Sequence, residues 1–232
     1  AYTGALALTD AFSSNADNMA CPFTAANQNP LFQFQEQRTG DLVMCSTLLN
    51  EMEATSDPRI PFYYGDDADG GISGSDPGSE NDGASLLGSH LAGQTAPAYL
   101  MTYAELKFIE AEAALQTGDA GRAATAYIAG VEASVDLVAG GDEAWLDANI
   151  RTENAGSITL DKIMLQKRHA LVGQLQPFSD WRRTGLPSLS LVPGATLTAI
   201  PQRYPYPQDE SIYNPDNVPT IADIAVKVWW AE

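Results

Sequence analysis

The chain of 232 residues carries 12 Lys and Arg against 30 Asp and Glu, a net charge of −18, which excludes nucleic acid and anionic membrane surfaces as partners on electrostatic grounds. Its length can bury one good-sized core, and no apolar run approaches the roughly 20 residues of a membrane span. Two cysteines, Cys21 and Cys45, fit no zinc or redox spacing, and Cys45 shares an apolar stripe with Leu42, Leu49 and Met52, as a buried free thiol would.

In chain order, Ala5 to Phe12 suits a short helix or a strand, and Asn15 to Pro30 reads as loop. The following NPLFQF, read as extended, points Phe32 and Phe34 to the same side. Asp41 can cap a helix that runs to about Ala54 and stops at Ser56-Asp57-Pro58-Arg59, because the residue before proline resists the helical conformation. Ile60, Phe62, Tyr63 and Tyr64 then form an apolar and aromatic run expected as a short strand or extended segment. Gly65 to Thr95 is rich in Gly, Ser and Asp and exceeds the roughly 12 to 15 residues usual for a structureless loop, so it is either functional or disordered. Its DDADGG piece is similar in composition to a calcium loop. Counting back from Gly70, however, puts the first ligand position on Gly65, so a solvated acidic loop is expected, with calcium as the alternative.

Pro97 to Gly140 is the stretch around which the rest is organised. It reads as two antiparallel helices joined at Gly118-Asp119, glycine stopping the first and aspartate capping the second. Leu100, Ala104, Phe108, Ala111 and Leu115 share one face of the first helix, and Leu106, Ile109 and Ala113 a second. The second helix offers one stripe of Ala123, Tyr127, Val131, Val135 and Val138. A helix with two apolar faces needs two neighbours, as stacked helical hairpins provide. Ala111, Ala123, Tyr127 and Gly130 give a small-large pattern similar to a tetratricopeptide repeat, although the Trp and Leu of that repeat's first helix are absent. After a connector with a turn near Trp145, a third helix spans about Thr159 to Gln176 and Pro177 ends it. The remainder is Pro-rich and irregular until Val226, Val228 and Trp230 alternate like a short strand.

No phosphate loop, nucleophile elbow, HExxH or CxxC occurs. His169, beside Lys167 and Arg168, reads as a surface or capping residue, and His90 lies in the long loop. No catalytic residue and no metal-ligating set emerges, so enzymatic activity is not expected. Trp181, Arg182 and Arg183 sit just past a helix end, where internal salt bridges to the many acids are favoured over anion binding. Arg203 and Glu210 similarly suit the fastening of an irregular loop, with Tyr206-Pro207 fixing its course.

Taken together, several ordered stretches resemble the SusD/RagB-like outer-membrane nutrient-binding lipoproteins. They are Asp57-Pro58-Arg59; LMTYAELKFIEAEAAL with Gly118-Asp119, and Tyr127 beyond; IMLQKRHAL leading into DWRRTGLP with Trp181, Arg182 and Arg183; the constellation Pro201, Arg203, Tyr206, Pro207, Glu210 and Asn214; and the terminal KVWW. The resemblance covers about residues 57 to 230. It implies a mainly α single domain of tetratricopeptide-like hairpins packed against irregular loops with minor short β. It also implies noncatalytic glycan capture at the cell-surface face of the outer membrane for a SusC-like TonB-dependent transporter. It matches only the C-terminal half of such proteins, so the chain is expected to be part of a longer one. The other part would hold the leader, the lipid anchor and a partner for the second face of the 100–115 helix; Cys21, with no apolar leader before it, is not read as the lipidation site.

Ligand sites in that family are aromatic platforms with polar neighbours, and no ligand motif transfers by position. Aromatic and polar residues mixed outside the expected helices nominate Asn29, Phe32, Gln33, Phe34, Tyr63 and Tyr64 for the glycan, with burial in the core the competing role for each aromatic. Two other functions stay open: a peptide- or protein-binding helical-repeat adaptor, and a carbohydrate-active enzyme with two facing carboxylates.

Overall fold

The computed structural model, which describes residues 1–7, 11–219 and 224–231, is mostly helical. In chain order the helices are α1 (Tyr2–Ala5), α2 (Pro30–Gln37), α3 (Ser46–Glu53), α4 (Ile60–Tyr63), α5 (Ser89–Ala92), α6 (Tyr103–Gln116), α7 (Ala120–Ala139), α8 (Glu143–Asn149), α9 (Leu160–Ala170), α10 (Gln176–Thr184) and α11 (Gln208–Tyr213). Two short strands, β1 (Met19–Cys21) and β2 (Ala98–Met101), pair antiparallel with Met19 opposite Met101 and Cys21 opposite Ala98. The chain divides into two compact units, Ala1–Gln174 and Leu175–Glu232.

The first unit is built on the α6–α7 hairpin. Thr102 Oγ1 accepts from Glu105 N at 3.1 Å and the Asp119 carboxylate from Arg122 N at 3.0 Å, so each helix starts on a side-chain cap. Gly118 takes φ +87° in the turn between them, a conformation that costs a residue with a Cβ. At Gly130 a methyl group would stand 3.2 Å from the Phe108 ring, so glycine sets how closely the two helices approach. Phe108 meets Tyr127 edge to face with ring centroids 6.4 Å apart. Besides α7, α6 packs on α9 and α1, and Ala113 is 1% exposed while Leu106 and Ile109 are half-buried. The chain itself therefore supplies further neighbours for α6. Leu100 departs from the expected helical face: it lies in β2 and is 65% exposed, because the Thr102 cap starts the helix after it.

A second core gathers Met44, Leu48, Leu49, Met52, Tyr63, Tyr64 and Val138. Here the expected strand at 60–64 is instead α4, with Pro61 in its first turn, where a missing N–H costs nothing. The helix capped by Asp41 is also shorter than expected. It begins at Ser46, and Asp41 pairs with Arg38 in the preceding turn. Cys45 precedes it as a free, half-buried thiol.

Behind α4 stands a fully buried arginine. Arg59 is 0% exposed; it donates from Nε to Asp57 Oδ1 at 2.9 Å, from Nη1 to Ser134 Oγ at 2.9 Å and from Nη2 to Gln166 Oε1 at 2.8 Å. Burial works against its charge, but the Asp57 carboxylate outweighs that effect and holds its pKa above the ordinary value. His169 departs from its expected surface position. It is buried beside this network, with Nε2 3.3 Å from Glu51 Oε2, and burial lowers its pKa.

Residues 65–95 are laid back along α3 and α4. Gly65 N donates to Leu86 O at 2.8 Å, Gly88 N to Tyr63 O at 2.7 Å and Ser46 N to Ser75 O at 2.9 Å. A methyl at Gly74 or Gly88 would overlap the backbone of Ser46 or Phe62, so glycine permits these approaches. The connector after α7 forms α8, whose Asp142 cap accepts from Trp145 N at 2.9 Å, while Trp145 Nε1 donates to Thr55 O at 2.8 Å. Arg151 then gathers Glu132, Glu143 and Asp147 at 2.6, 2.6 and 2.9 Å. The expected helix to Gln176 ends at Ala170. At the other end of the chain, the helix-or-strand expectation for Ala5 to Phe12 meets α1 at its start, and its Leu8 to Asp10 lie outside the described residues.

The second unit opens with α10. Pro177 lies in its first turn, opening a helix where the sequence pattern reads an ending, and Trp181, Arg182 and Arg183 lie within the helix rather than past one. Leu175, within the span expected for the third helix, lies beyond its end and is 87% exposed. The Arg182 guanidinium lies over Phe178 at 4.4 Å and Trp230 at 4.6 Å, and Arg183 pairs with Asp180 at 3.0 Å. Arg203 lies 5.7 Å from the Tyr206 ring centre; Glu210, exposed on α11, accepts from Asn214 Nδ2 at 3.0 Å rather than fastening a loop to a core. Residues 226–230 run through a bend and irregular backbone into a turn, not the expected strand, and Trp230 serves as a stacking surface for Arg182.

Candidate functional site

Two amide side chains fix α2. Asn29 Oδ1 accepts from Leu31 N at 2.7 Å and Phe32 N at 3.3 Å, capping the helix, while its Nδ2 donates to Leu91 O at 3.2 Å and Ala96 O at 2.7 Å. Gln35 exchanges two hydrogen bonds with Leu87, Nε2 to O at 3.3 Å and N to Oε1 at 3.0 Å. A helix of 8 residues is marginal alone. Anchored at Asn29 and Gln35, it becomes a firm platform.

At 100° per residue, Phe32, Gln33, Glu36 and Gln37 fall on one side of α2, and Phe34, Gln35 and Arg38 on the other. With Gln28 and Gln94, the first set lines an open concavity of about 450 Å³. One ring, several carboxamides and one carboxylate face the same space. Each carboxamide both donates and accepts, the carboxylate accepts, and the ring offers a face to C–H groups.

Helical geometry thus separates Phe32 from Phe34, which the extended reading puts side by side. Phe34 lies under the Arg38 guanidinium at 5.4 Å. Asn29 is buried as the anchor of α2. Tyr63 and Tyr64 are 0% and 1% exposed; their hydroxyls donate to His169 O and Cys45 O, each at 2.8 Å. Burial pushes the Tyr63 pKa up to about 12 and that of Tyr64 higher still. Both tyrosines are core residues and offer no ring face to a ligand. Of the nominated set, the concavity holds Phe32 and Gln33. Gln28, Glu36, Gln37 and Gln94 escaped the sequence reading; Asn-Pro as cap and first helical residue is the signal that could have found Glu36 and Gln37. Nothing local marks Gln94.

A smaller cavity of about 230 Å³ lies beyond Pro30 and Leu31, with His90, Leu91, Pro97 and Tyr99 among its walls. His90 stacks on Tyr99 with centroids 5.8 Å apart and takes the Tyr63 ring edge-on at 5.5 Å, and burial lowers its pKa. In the DDADGG turn, Asp67 Oδ1 accepts from Asp69 N at 3.0 Å and Gly71 N at 2.8 Å. Among the described residues no group of three or more His, Cys, Asp or Glu could hold a metal ion, and no helix is long and apolar enough to cross a membrane. A glycosidase sets two carboxylates across its cleft; among the described residues lining the concavity, Glu36 is the one acid.

These features define a helical-repeat scaffold that carries a polar concavity with one aromatic ring in its wall. The chain belongs to the SusD-like family: a sequence profile of that family, described as starch-binding associating with outer membrane, matches residues 2–207. A SusD homologue from Bacteroides fragilis has the same fold, with a TM-score of 0.77 at 22% identity over 98% of this chain and 60% of the other. A chitin-binding SusD homologue from Flavobacterium johnsoniae gives 0.75 at 22% identity over 94% of this chain and 55% of the other. One from Bacteroides vulgatus gives 0.74 at 24% identity over 94% of this chain and 54% of the other. The chain thus spans between 54% and 60% of the length of these relatives. No curated protein matches it.

Proposed function

We propose that this chain is a noncatalytic glycan-binding protein at the cell-surface face of the outer membrane, passing its ligand to a SusC-like TonB-dependent transporter. Attachment to the membrane through a lipid anchor is part of the same reading. The observation that carries the reading is the α2 face, where Phe32 stands among the carboxamides of Gln28, Gln33, Gln37 and Gln94 beside Glu36. Sugars present C–H faces and hydroxyls in alternation, and a ring set among amides meets both needs. Membership of the SusD-like family supports it, as does the shared fold of a chitin-binding homologue.

Burying a phenyl ring against a sugar is worth about 1.5 to 3 kcal/mol, roughly 10- to 100-fold in affinity. Phe32→Ala should therefore weaken retention on starch or chitin at least tenfold in affinity electrophoresis, and Gln33→Ala should weaken it less, both with an unchanged unfolding midpoint. Retention equal to that of the parent in both folded variants would sink the assignment of this face. The transporter step has its own measurement, co-purification with a SusC-like transporter from solubilised outer membranes.

A further inference from the structure

Resting on that reading, we infer that the α2 concavity is selective for uncharged glycans and turns away uronate-containing or sulfated ones. Recognition of an anionic sugar calls for a guanidinium, an ammonium or a helix N-terminus aimed at the charge. Among the described residues lining the concavity there is no guanidinium or ammonium. Gln28, Phe32, Gln33, Glu36, Gln37 and Gln94 bring one negative charge and no positive one. The N-terminal amides of α2, the one local device that could take an anion, are already occupied: Asn29 Oδ1 accepts from Leu31 N and Phe32 N.

The nearest cation along the chain is committed as well. Arg38 pairs with Asp41 and lies over Phe34, on the opposite side of α2 from Phe32. The same holds through much of the first unit, where Arg59 pairs with Asp57, Lys107 and Arg122 with Glu110, and Arg168 with Glu51. With a net charge of −18 there is no surplus of positive side chains to collect a polyanion from solution. An arriving sulfate or carboxylate meets repulsion at long range and Glu36 at short range, with nothing to repay its lost hydration. A hydroxyl or acetamido group loses far less, since the carboxamides accept and donate in water's place.

The experiment is affinity electrophoresis of the whole chain in gels containing soluble starch, glycol chitin, galactomannan or xyloglucan as uncharged probes, and pectate, alginate or chondroitin sulfate as anionic ones, at low and physiological salt. Retention by at least one uncharged polymer, with every anionic one at least tenfold weaker, is the expected result. Glu36→Lys combined with Gln33→Lys, both on exposed positions, should raise retention by the anionic polymers at least tenfold at low salt. Retention of the parent protein by an anionic polymer as strongly as by the best uncharged one would overturn the selectivity while leaving glycan capture standing. Failure of the double variant to gain anion retention would remove the charge argument in the same way. A parent protein retained by neither class would dispose of the glycan reading and this one together.

Discussion

Arg59 shows how much a single side chain can carry. Its guanidinium is buried and collects Asp57, Ser134 and Gln166. Removing one member of a buried pair leaves the other charge uncompensated, at a cost of about 3 to 5 kcal/mol. Arg59→Met should accordingly lower the denaturation midpoint steeply, as urea unfolding would report. Tyr63→Phe, which removes only the hydroxyl that donates to His169 O, should cost about 1 kcal/mol. The chain's two histidines add a pH dependence. Burial lowers the pKa of both His90 and His169, so each is favoured neutral in the folded state and takes up its proton more readily when unfolded. The groups around the His169 ring are Glu51 and Asp57 with Arg59 and Arg168, two acids already matched by two cations. The unfolded chain then binds more protons below its ordinary histidine pKa of about 6.5, and stability falls as pH drops from there through the folded values. The slope approaches about 1.4 kcal/mol per pH unit for each histidine. Urea titrations between pH 7.5 and 5.5 should show it, and His169→Asn should reduce it; a flat profile in the parent would count against buried neutral histidines.

Among the elements, the α6–α7 hairpin was the most legible in sequence, because its determinants are local. Thr102, Asp119, Gly118 and Gly140 punctuate it, and the apolar spacing between them needs no knowledge of the rest of the chain. Two substitutions check that account. Thr102→Ala should cost about 1 kcal/mol through the lost cap. Gly130→Val should cost about 1 to 3 kcal/mol by forcing Phe108 away from α7, again by urea unfolding. The elements missed were those set by distant partners. α2 is too short to announce itself by periodicity, and its hydrogen bonds reach to Leu87, Leu91 and Ala96, more than fifty residues on. The run from Ile60 to Tyr64 has the composition of a strand, yet Asp57 and Arg59 turn the chain into α4 ahead of it. His169 belongs to a basic last turn of the kind that usually faces water, and only the packing of α9 beside Glu51 and Asp57 takes it inside. The lining of the α2 concavity was hard to read for the same reason. Taking α2 as extended joined Phe32 to Phe34 and left out Glu36 and Gln37, and no local rule ties Gln94 to them.

For the molecule as a whole, the dominant fact is a charge of −18 spread over one chain. Self-repulsion of that size weakens the compact state, and salt screens it with a Debye length of about 8 Å at physiological strength. The melting temperature should climb as sodium chloride rises from about 10 to 300 mM, and scanning calorimetry would reveal a fall instead if surface ion pairs such as those of Arg151 outweighed the repulsion.

The partners of Arg59 lie far apart in sequence: Asp57 is its near neighbour, Ser134 follows on α7, and Gln166 comes only on α9. A nascent chain that has emerged as far as α8 already holds the cation but lacks part of its solvation shell, so final closure waits for α9. Truncation before Gln166 should then yield an aggregation-prone intermediate rather than a smaller native protein, as size-exclusion chromatography of the shortened chain would show.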